Sequence, residues 1–344
     1  MNLEKLVRPN ILAMKAYSSA RDEFEVNNQV VLLDANENPF ASDWNRYPDP
    51  YQRQLKKAIA ALKGTKVENI FLGNGSDEAI DLIFRIFCEP GSDNIIITDP
   101  TYGMYEVSAA IQDIEVQKVP LTKAFELDSD KVLSVINENT KLIFLCNPNN
   151  PTANLLNEGE IKNVIENFKG IVVLDEAYID FTNRESSIQW LNDYPNLIVL
   201  QTFSKAWGMA GMRLGMAFSN SKIIQLFNKV KAPYNMSILT QNKALELIEN
   251  NKEKVKSNLQ VLVHERARLI DALSKFSMVE HIYPTFTNFI LVRFNNHSLV
   301  FKTLIEAGLI VRDRSKALNC ENCLRITVGT PNENELLIDV LSKI

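Results

Sequence analysis

Lys205 stands at the exit of an apolar run, Leu197–Leu200, and is followed by mostly small and apolar residues up to Arg213. A lysine amine in partly apolar surroundings has a depressed pKa, which favours Schiff-base formation with an aldehyde. Other strand-like runs also end on polar groups. One leads into Gly73–Glu78, a glycine turn that opens a helix and offers backbone amides to an anion. Others lead to Tyr102 and to Asn150, and another ends on Asp175 with Tyr178 close behind. Taken singly, these residues have ordinary uses. Gly73 and Gly75 suit a tight turn, with Ser76 as N-cap and Asp77 and Glu78 against the helix dipole. Asn150 before Pro151 is a turn former, Asp175 can cap the next element, and Lys205 can lie along the surface with its head in water. Together they fit one ligand. Its aldehyde meets the lysine, its protonated ring nitrogen the carboxylate, and its phosphate the helix terminus and an arginine. Its ring and phenolic oxygen meet two tyrosines and an asparagine. Pyridoxal 5′-phosphate carries all of these groups, and Lys205 is its candidate anchor.

The elements that must position these residues are legible as short apolar runs from about Glu68 to Ser219: NIFLG, DNIIITD, TKLIFLC, GIVVLD, NLIVLQT and RLGMAFS. They are apolar almost continuously, as strands covered on both faces are. Helical patterns such as SDEAIDLIFRIF and EGEIKNVIENF lie between them. The alternation predicts an α/β domain with a mostly parallel central sheet. Such sheets bind ligands in the crevice beyond the carboxyl ends of their strands. After about Tyr234 comes a long, charged, amphipathic stretch with a break near Asn250. NFILVRF, LIVRD, LRITVG and two helical patterns follow, predicting a smaller α+β domain. A chain of 344 residues suits one large and one small domain. The change in texture assigns residues 30–235 to the large domain, and 1–29 with 236–344 to the small one.

A net charge of −5 gives no electrostatic reason to bind nucleic acid or an anionic membrane. No apolar run approaches a membrane span, and the N-terminus lacks the layout of a signal peptide, so the expected location is cytoplasmic. Cys88 and Cys146 lie in apolar runs that suit buried thiols. Cys320 and Cys323 have zinc-like or redox-like spacing, but no second pair accompanies them and the three histidines form no cluster. No metal is expected. A non-catalytic cofactor- or nucleotide-binding module is the reading from another class. A plain nucleotide binder would use the glycine turn, yet the third glycine of a dinucleotide fingerprint is missing, and Lys205, Asp175 and Asn150 would have no role.

The chain also resembles the fold-type I aminotransferases, and within them the histidinol-phosphate aminotransferase branch. The resemblance rests on LDANENPF, RYPDP, GNGSDEAIDL, DPTYGMY, NPNNPT, VVLDEAY, TFSKAWGMAGMRLG and CLRITVGT, which follow the family's order through residue 330. It implies transamination between L-histidinol phosphate and 2-oxoglutarate, giving imidazole-acetol phosphate and L-glutamate, in histidine biosynthesis. It further implies that Lys205 anchors pyridoxal phosphate and shuttles the proton, and that Asp175 pairs with the ring nitrogen. Asn150 and Tyr178 would contact the phenolic oxygen, and Tyr102 would stack on the ring. Gly75, Ser76 and Asp77 would hold the phosphate, helped by Thr202, Ser204 and Arg213. Tyr47 would reach that phosphate from the partner subunit of a homodimer. Arg325 and Arg312 would take the substrate's anionic group, with Tyr17 and Asn36 also touching substrate. Aromatic aminotransferases and amino-acid phosphate decarboxylases share the lysine, aspartate and arginine set and stay open as alternatives. One departure from the family pattern is Ala153, which stands where Asn-Pro-Thr is usually followed by glycine. If that position needs a positive φ, alanine adds local strain.

Overall fold

The protein is described by a computed structural model covering residues 2–17, 31–40 and 42–344. The larger sheet contains β1 (Ile70–Asn74), β2 (Asn94–Asp99), β3 (Glu115–Pro120), β4 (Thr140–Cys146), β5 (Ile171–Asp175), β6 (Leu197–Thr202) and β7 (Leu214–Phe218). Their order is β1-β7-β6-β5-β4-β2-β3. β7 is antiparallel to both neighbours, and the other pairs are parallel. The carboxyl ends of β1, β2, β4, β5 and β6 therefore share one edge, and β7 begins at that same edge just after Arg213.

Both faces of this sheet are covered. Along β4, Ile143 and Leu145 enter the core on one face, while Leu142, Phe144 and Cys146 enter it on the other. Helices Ser76–Phe87 and Ser221–Val230 seal one side with Ile80, Ile83 and Phe227. Helices Arg53–Lys63 and Glu158–Asn167 seal the other with Ile59, Ile161 and Val164. With no wet face, alternate positions are all apolar, and the runs lose the polar–apolar period of a half-exposed strand. Edge strand β3 is not among the six runs that the sequence marks. Most of EVQKVP is exposed or only partly buried, so it carries no continuous apolar signal.

The smaller sheet is antiparallel, with β8 (Val279–Ile282), β9 (Phe289–Phe294), β10 (Arg312–Asp313) and β11 (Cys323–Thr327) in the order β10-β11-β9-β8. Ile290, Val292, Phe294, Leu324 and Ile326 pack with residues of helices Lys252–Leu273, His297–Glu306 and Pro331–Leu341. Among the described residues, no helix is long and apolar enough to cross a membrane.

The layers depart from the expected boundaries in two places. Val7 and Ile11 are buried in the core of the larger sheet, and Arg8 pairs with Glu89 at 3.0 Å. The start of the chain therefore packs on the large domain, whereas residues 1–29 were expected on the small one; residues 18–30 lie outside the described set. Helix Ile238–Asn250 likewise buries Ala244 and Ile248 in the large-domain core. The change of layer falls at Asn251, between this helix and Lys252–Leu273, close to the expected break near Asn250. A short apolar stripe shows that a segment will be buried, but not which of two cores will bury it.

Candidate active site

A cavity of about 440 Å³ opens at the carboxyl edge of the larger sheet. It is lined on the sheet side by Gly75, Ser76, Asp77, Tyr102, Asn150, Asp175, Tyr178, Thr202, Ser204, Lys205 and Arg213, and on the other side by Arg312, Arg314 and Arg325. The shared edge explains the convergence, because residues far apart in sequence leave neighbouring strands at the same level.

One end of the cavity is built for an anion. Helix Ser76–Phe87 begins there, and Gly75, not Ser76, is its N-cap, with φ 75° and no side chain on the first amides. Those amides carry the positive end of the helix dipole. The Gly75 N–H donates to the Arg213 carbonyl at 2.8 Å, which ties the turn to the start of β7. A Cβ on Gly75 would come within 2.7 Å of Arg213 Nη2, a mobile tip that can give way, so it is the φ of 75° that calls for glycine here. Arg213 also lies 3.6 Å from an Asp77 carboxylate oxygen. Thr202 Oγ1 accepts the Ser204 N–H at 3.1 Å and lies 3.0 Å from Ser204 Oγ, fixing Ser204 at the rim.

Lys205 occupies the middle. Its turn is closed by Gly208 N–H to Lys205 C=O at 3.1 Å and by Met209 N–H to Phe203 C=O at 3.0 Å, above the fully buried Phe203 ring. The side chain is open to the cavity, and its amine lies 5.7 Å from the Tyr178 ring centre. Desolvation by the walls, then repulsion from Arg325, lowers its pKa; Asp175 and Asp77 oppose the shift. The neutral, nucleophilic form of the amine is thereby favoured.

Asp175 closes the far end. It is 2% exposed, and Oδ1 accepts the Ala177 N–H at 3.0 Å while Oδ2 accepts the Tyr105 hydroxyl at 2.7 Å. Burial raises its carboxyl to about 6, with both hydrogen bonds pulling the other way. Above pH 6 it is an anion with little water to solvate it, a suitable partner for a protonated ring nitrogen. Tyr102 donates to Asp77 Oδ1 at 3.2 Å and meets Tyr105 edge-on. Asn150 Oδ1 accepts a short hydrogen bond from Arg325 Nη1, which leaves the Asn150 amide donors for another acceptor. Tyr178 packs edge-on against Phe289 of β9, joining the two sheets at the cavity.

Three of the expected site residues lie outside the cavity. The Tyr47 ring stacks on Tyr234, with centroids 4.4 Å apart, and stays half exposed. Tyr17 is exposed beside Pro50 and Tyr51 in a separate hollow. Asn36 sits on an exposed loop at φ 55°. Conversely, Tyr105 and Arg314 belong to the site's structure without having been singled out. Their only signals were the second tyrosine of PTYGMY and the second arginine of VRDR. Cys146 also lines the cavity, and all four cysteines are buried. Ala153 has φ 66°, with its N–H donating to Asn149 C=O at 2.9 Å, so the position does need the left-handed region.

The description "Aminotransferase class I and II" matches residues 23–341 of the chain. The chain is 51% identical to the histidinol-phosphate aminotransferase of Cytophaga hutchinsonii, over 99% of this chain and 98% of that one. It is 50% identical to that of Parabacteroides distasonis, again over 99% and 98%. The fold superposes on the crystal structure of histidinol-phosphate aminotransferase from Sinorhizobium meliloti in complex with pyridoxal 5′-phosphate, with a TM-score of 0.79 at 25% identity, covering 87% of this chain and 83% of that one.

Proposed function

From the premise that this chain belongs to the class I and II aminotransferase family, we propose that it transfers the amino group of L-histidinol phosphate to 2-oxoglutarate, giving imidazole-acetol phosphate and L-glutamate, with pyridoxal 5′-phosphate in the cavity. The observation that carries this reading is the placement of Lys205 between a buried carboxylate and an uncapped helix terminus, under a group of arginines. The donor set fits the cofactor: an open helix N-terminus for phosphate, an amine for the aldehyde, and a desolvated carboxylate for the ring nitrogen. Bound there, the cofactor supplies an aldehyde that captures the amino donor and a ring that accepts the electron pair left on the donor carbon.

The protein's own groups do the rest. The amides of Ser76 and Asp77, with Ser204, Thr202 and Arg213, hold the phosphate. Asp175, pinned by Tyr105 and the Ala177 N–H, keeps the ring nitrogen protonated. The Asn150 amide and the Tyr178 hydroxyl would serve as donors to the phenolic oxygen, and Tyr102 would pack on the ring. The Lys205 amine, its pKa lowered by the cavity walls, would hold and move the proton of the donor carbon, as general base and then acid. Arg325 and Arg312 hold the donor's far anion, which is a carboxylate in the glutamate half-reaction and a phosphate in the other. Tyr47 acts in the partner's site of a homodimer, which its half-exposed position outside its own cavity supports, and Tyr17 and Asn36 are the further residues assigned to substrate contact.

The test is a half-reaction. Chain loaded with pyridoxal phosphate and given L-histidinol phosphate without a keto acid should release imidazole-acetol phosphate in a single stoichiometric turnover that leaves the cofactor in its amine form; 2-oxoglutarate should then restore the aldehyde form and release L-glutamate. Release of carbon dioxide from an amino-acid phosphate, or turnover of aromatic amino acids alone, would replace the substrate. Failure of the chain to change the visible spectrum of pyridoxal phosphate would remove the cofactor.

A further inference from the structure

We infer that Arg314 is the third guanidinium of a clamp at the substrate end of the cavity, selective for a phosphate monoester over a carboxylate. The inference rests on the proposal that this end of the cavity receives a phosphorylated donor. β10 and β11 pair with Arg312 opposite Arg325, and the Arg314 N–H donates to Cys323 C=O at 2.9 Å, extending the ribbon by one step. Side chains alternate along a strand, so Arg312 and Arg314 share a face and Asp313 takes the other. Asp313 accordingly accepts the Ser315 N–H at 2.8 Å and approaches His297, while all three arginines line the cavity.

This ribbon sets like charges side by side and opposite one another, an arrangement that destabilises a sheet unless something else neutralises it. The acids nearby are engaged elsewhere: Glu321 with Arg293 at 3.6 Å, Asp77 with Arg213 and Tyr102, and Asp175 with Tyr105. Nε of Arg314 and Nε of Arg325 are buried without a hydrogen-bond partner among the described residues. Burial, then Arg325 and Arg312, depresses the Arg314 guanidinium, as expected of a cation lacking its counter-ion. A carboxylate brings one charge and two coplanar oxygens, which two arginine forks can satisfy. A phosphate monoester brings close to two charges and three terminal oxygens that are not coplanar, so a third fork has its own oxygen to bind. Two half-reactions present both kinds of anion to the same place, and Arg314 is the group that tells them apart.

The experiment measures binding and half-reaction rates for Arg314→Gln and Arg314→Lys. Binding is read by calorimetry on chain filled with 4′-deoxypyridoxine phosphate, which lacks the reactive aldehyde, using L-histidinol phosphate and L-glutamate as probes. Arg314→Gln is expected to weaken L-histidinol phosphate roughly 10- to 100-fold, with glutamate shifted by less than about threefold, and Arg314→Lys should recover part of the loss. The glutamate affinity doubles as the control for folding. Equal losses for both ligands, or none for the phosphate ester, would overturn the assignment. If the wild-type chain fails to turn over L-histidinol phosphate, the proposed function falls; if it does turn over and the variant loses both ligands equally, only the role of Arg314 falls.

Discussion

The Tyr105 hydroxyl donates a 2.7 Å hydrogen bond to Asp175 Oδ2, and neither side chain is more than marginally exposed. Tyr105 comes from helix Met104–Ile111 and Asp175 from the end of β5, so the bond spans 70 residues of chain. It stabilises the anion that burial disfavours.

A pH signature follows from that contest. The Asp175 carboxyl rises from 3.8 to about 6 on folding, so the folded chain holds this proton more tightly than the unfolded chain does. Its contribution to stability is present below about pH 4, is lost as pH rises to about 6, and is flat above. The loss is on the order of 3 kcal/mol. Tyr105→Phe removes one of the bonds opposing the rise, so the loss should extend to higher pH. Urea unfolding of the cofactor-free chain between pH 4 and 8 measures this, and a variant profile parallel to wild type would contradict it.

Lys205→Ala should leave the cavity's anion end intact and remove the proton carrier. Half-reaction rates are expected to fall by roughly 10²- to 10⁴-fold or more, while pyridoxamine phosphate still binds through the Ser76–Phe87 helix terminus. Stopped-flow rates and an equilibrium titration separate the two effects. A variant that keeps wild-type rates would remove Lys205 from the chemistry.

Gly215 pairs with Gly73 where β7 meets β1, and any Cβ on it would collide with the backbone of Gly75 and Ser76. Backbone atoms cannot rotate away as a side-chain tip does, so Gly215→Ala must displace the anion-binding turn. Cofactor affinity should drop by at least about tenfold, on the scale of a lost charge-assisted hydrogen bond. Fluorescence titration with pyridoxal phosphate would show this, and unchanged affinity would mean that the turn tolerates the shift.

Ala153 holds φ 66° while completely buried beside Tyr178 and Phe289. Glycine would relieve about 1–2 kcal/mol of left-handed strain. It would also give up about 0.8 kcal/mol of methyl burial and gain about 0.4–1 kcal/mol of unfolded-state freedom. Ala153→Gly is therefore expected to change unfolding stability by less than about 1 kcal/mol in either direction. A larger destabilisation in a denaturant titration would show that packing outweighs strain at this position.

Much of the lining of the candidate site was readable before any fold was known. Strands buried on both faces announce themselves as unbroken apolar runs, and the polar residue just after each run has nowhere to go but the sheet's edge. Lys205, Asp175 and Asn150 could be picked out for that reason, as could the helix opening at Gly75. Edge strand β3 carries no such pattern, and of the run LIVRD only Arg312 and Asp313 become strand, as β10.

What local pattern left open was partnership. That β7 runs backwards between β1 and β6, bringing Arg213 to Gly75, follows from how seven strands assemble and not from any one of them. The same holds for Tyr105 reaching Asp175, for Arg314 standing with Arg312 and Arg325, and for residues 7 and 11 choosing the larger core. A chain encodes the burial and period of each segment over a few neighbouring residues, because those depend on backbone geometry and side-chain polarity there. Which segment it meets depends on the summed packing of the whole, a quantity that exists only once the layers have closed on one another.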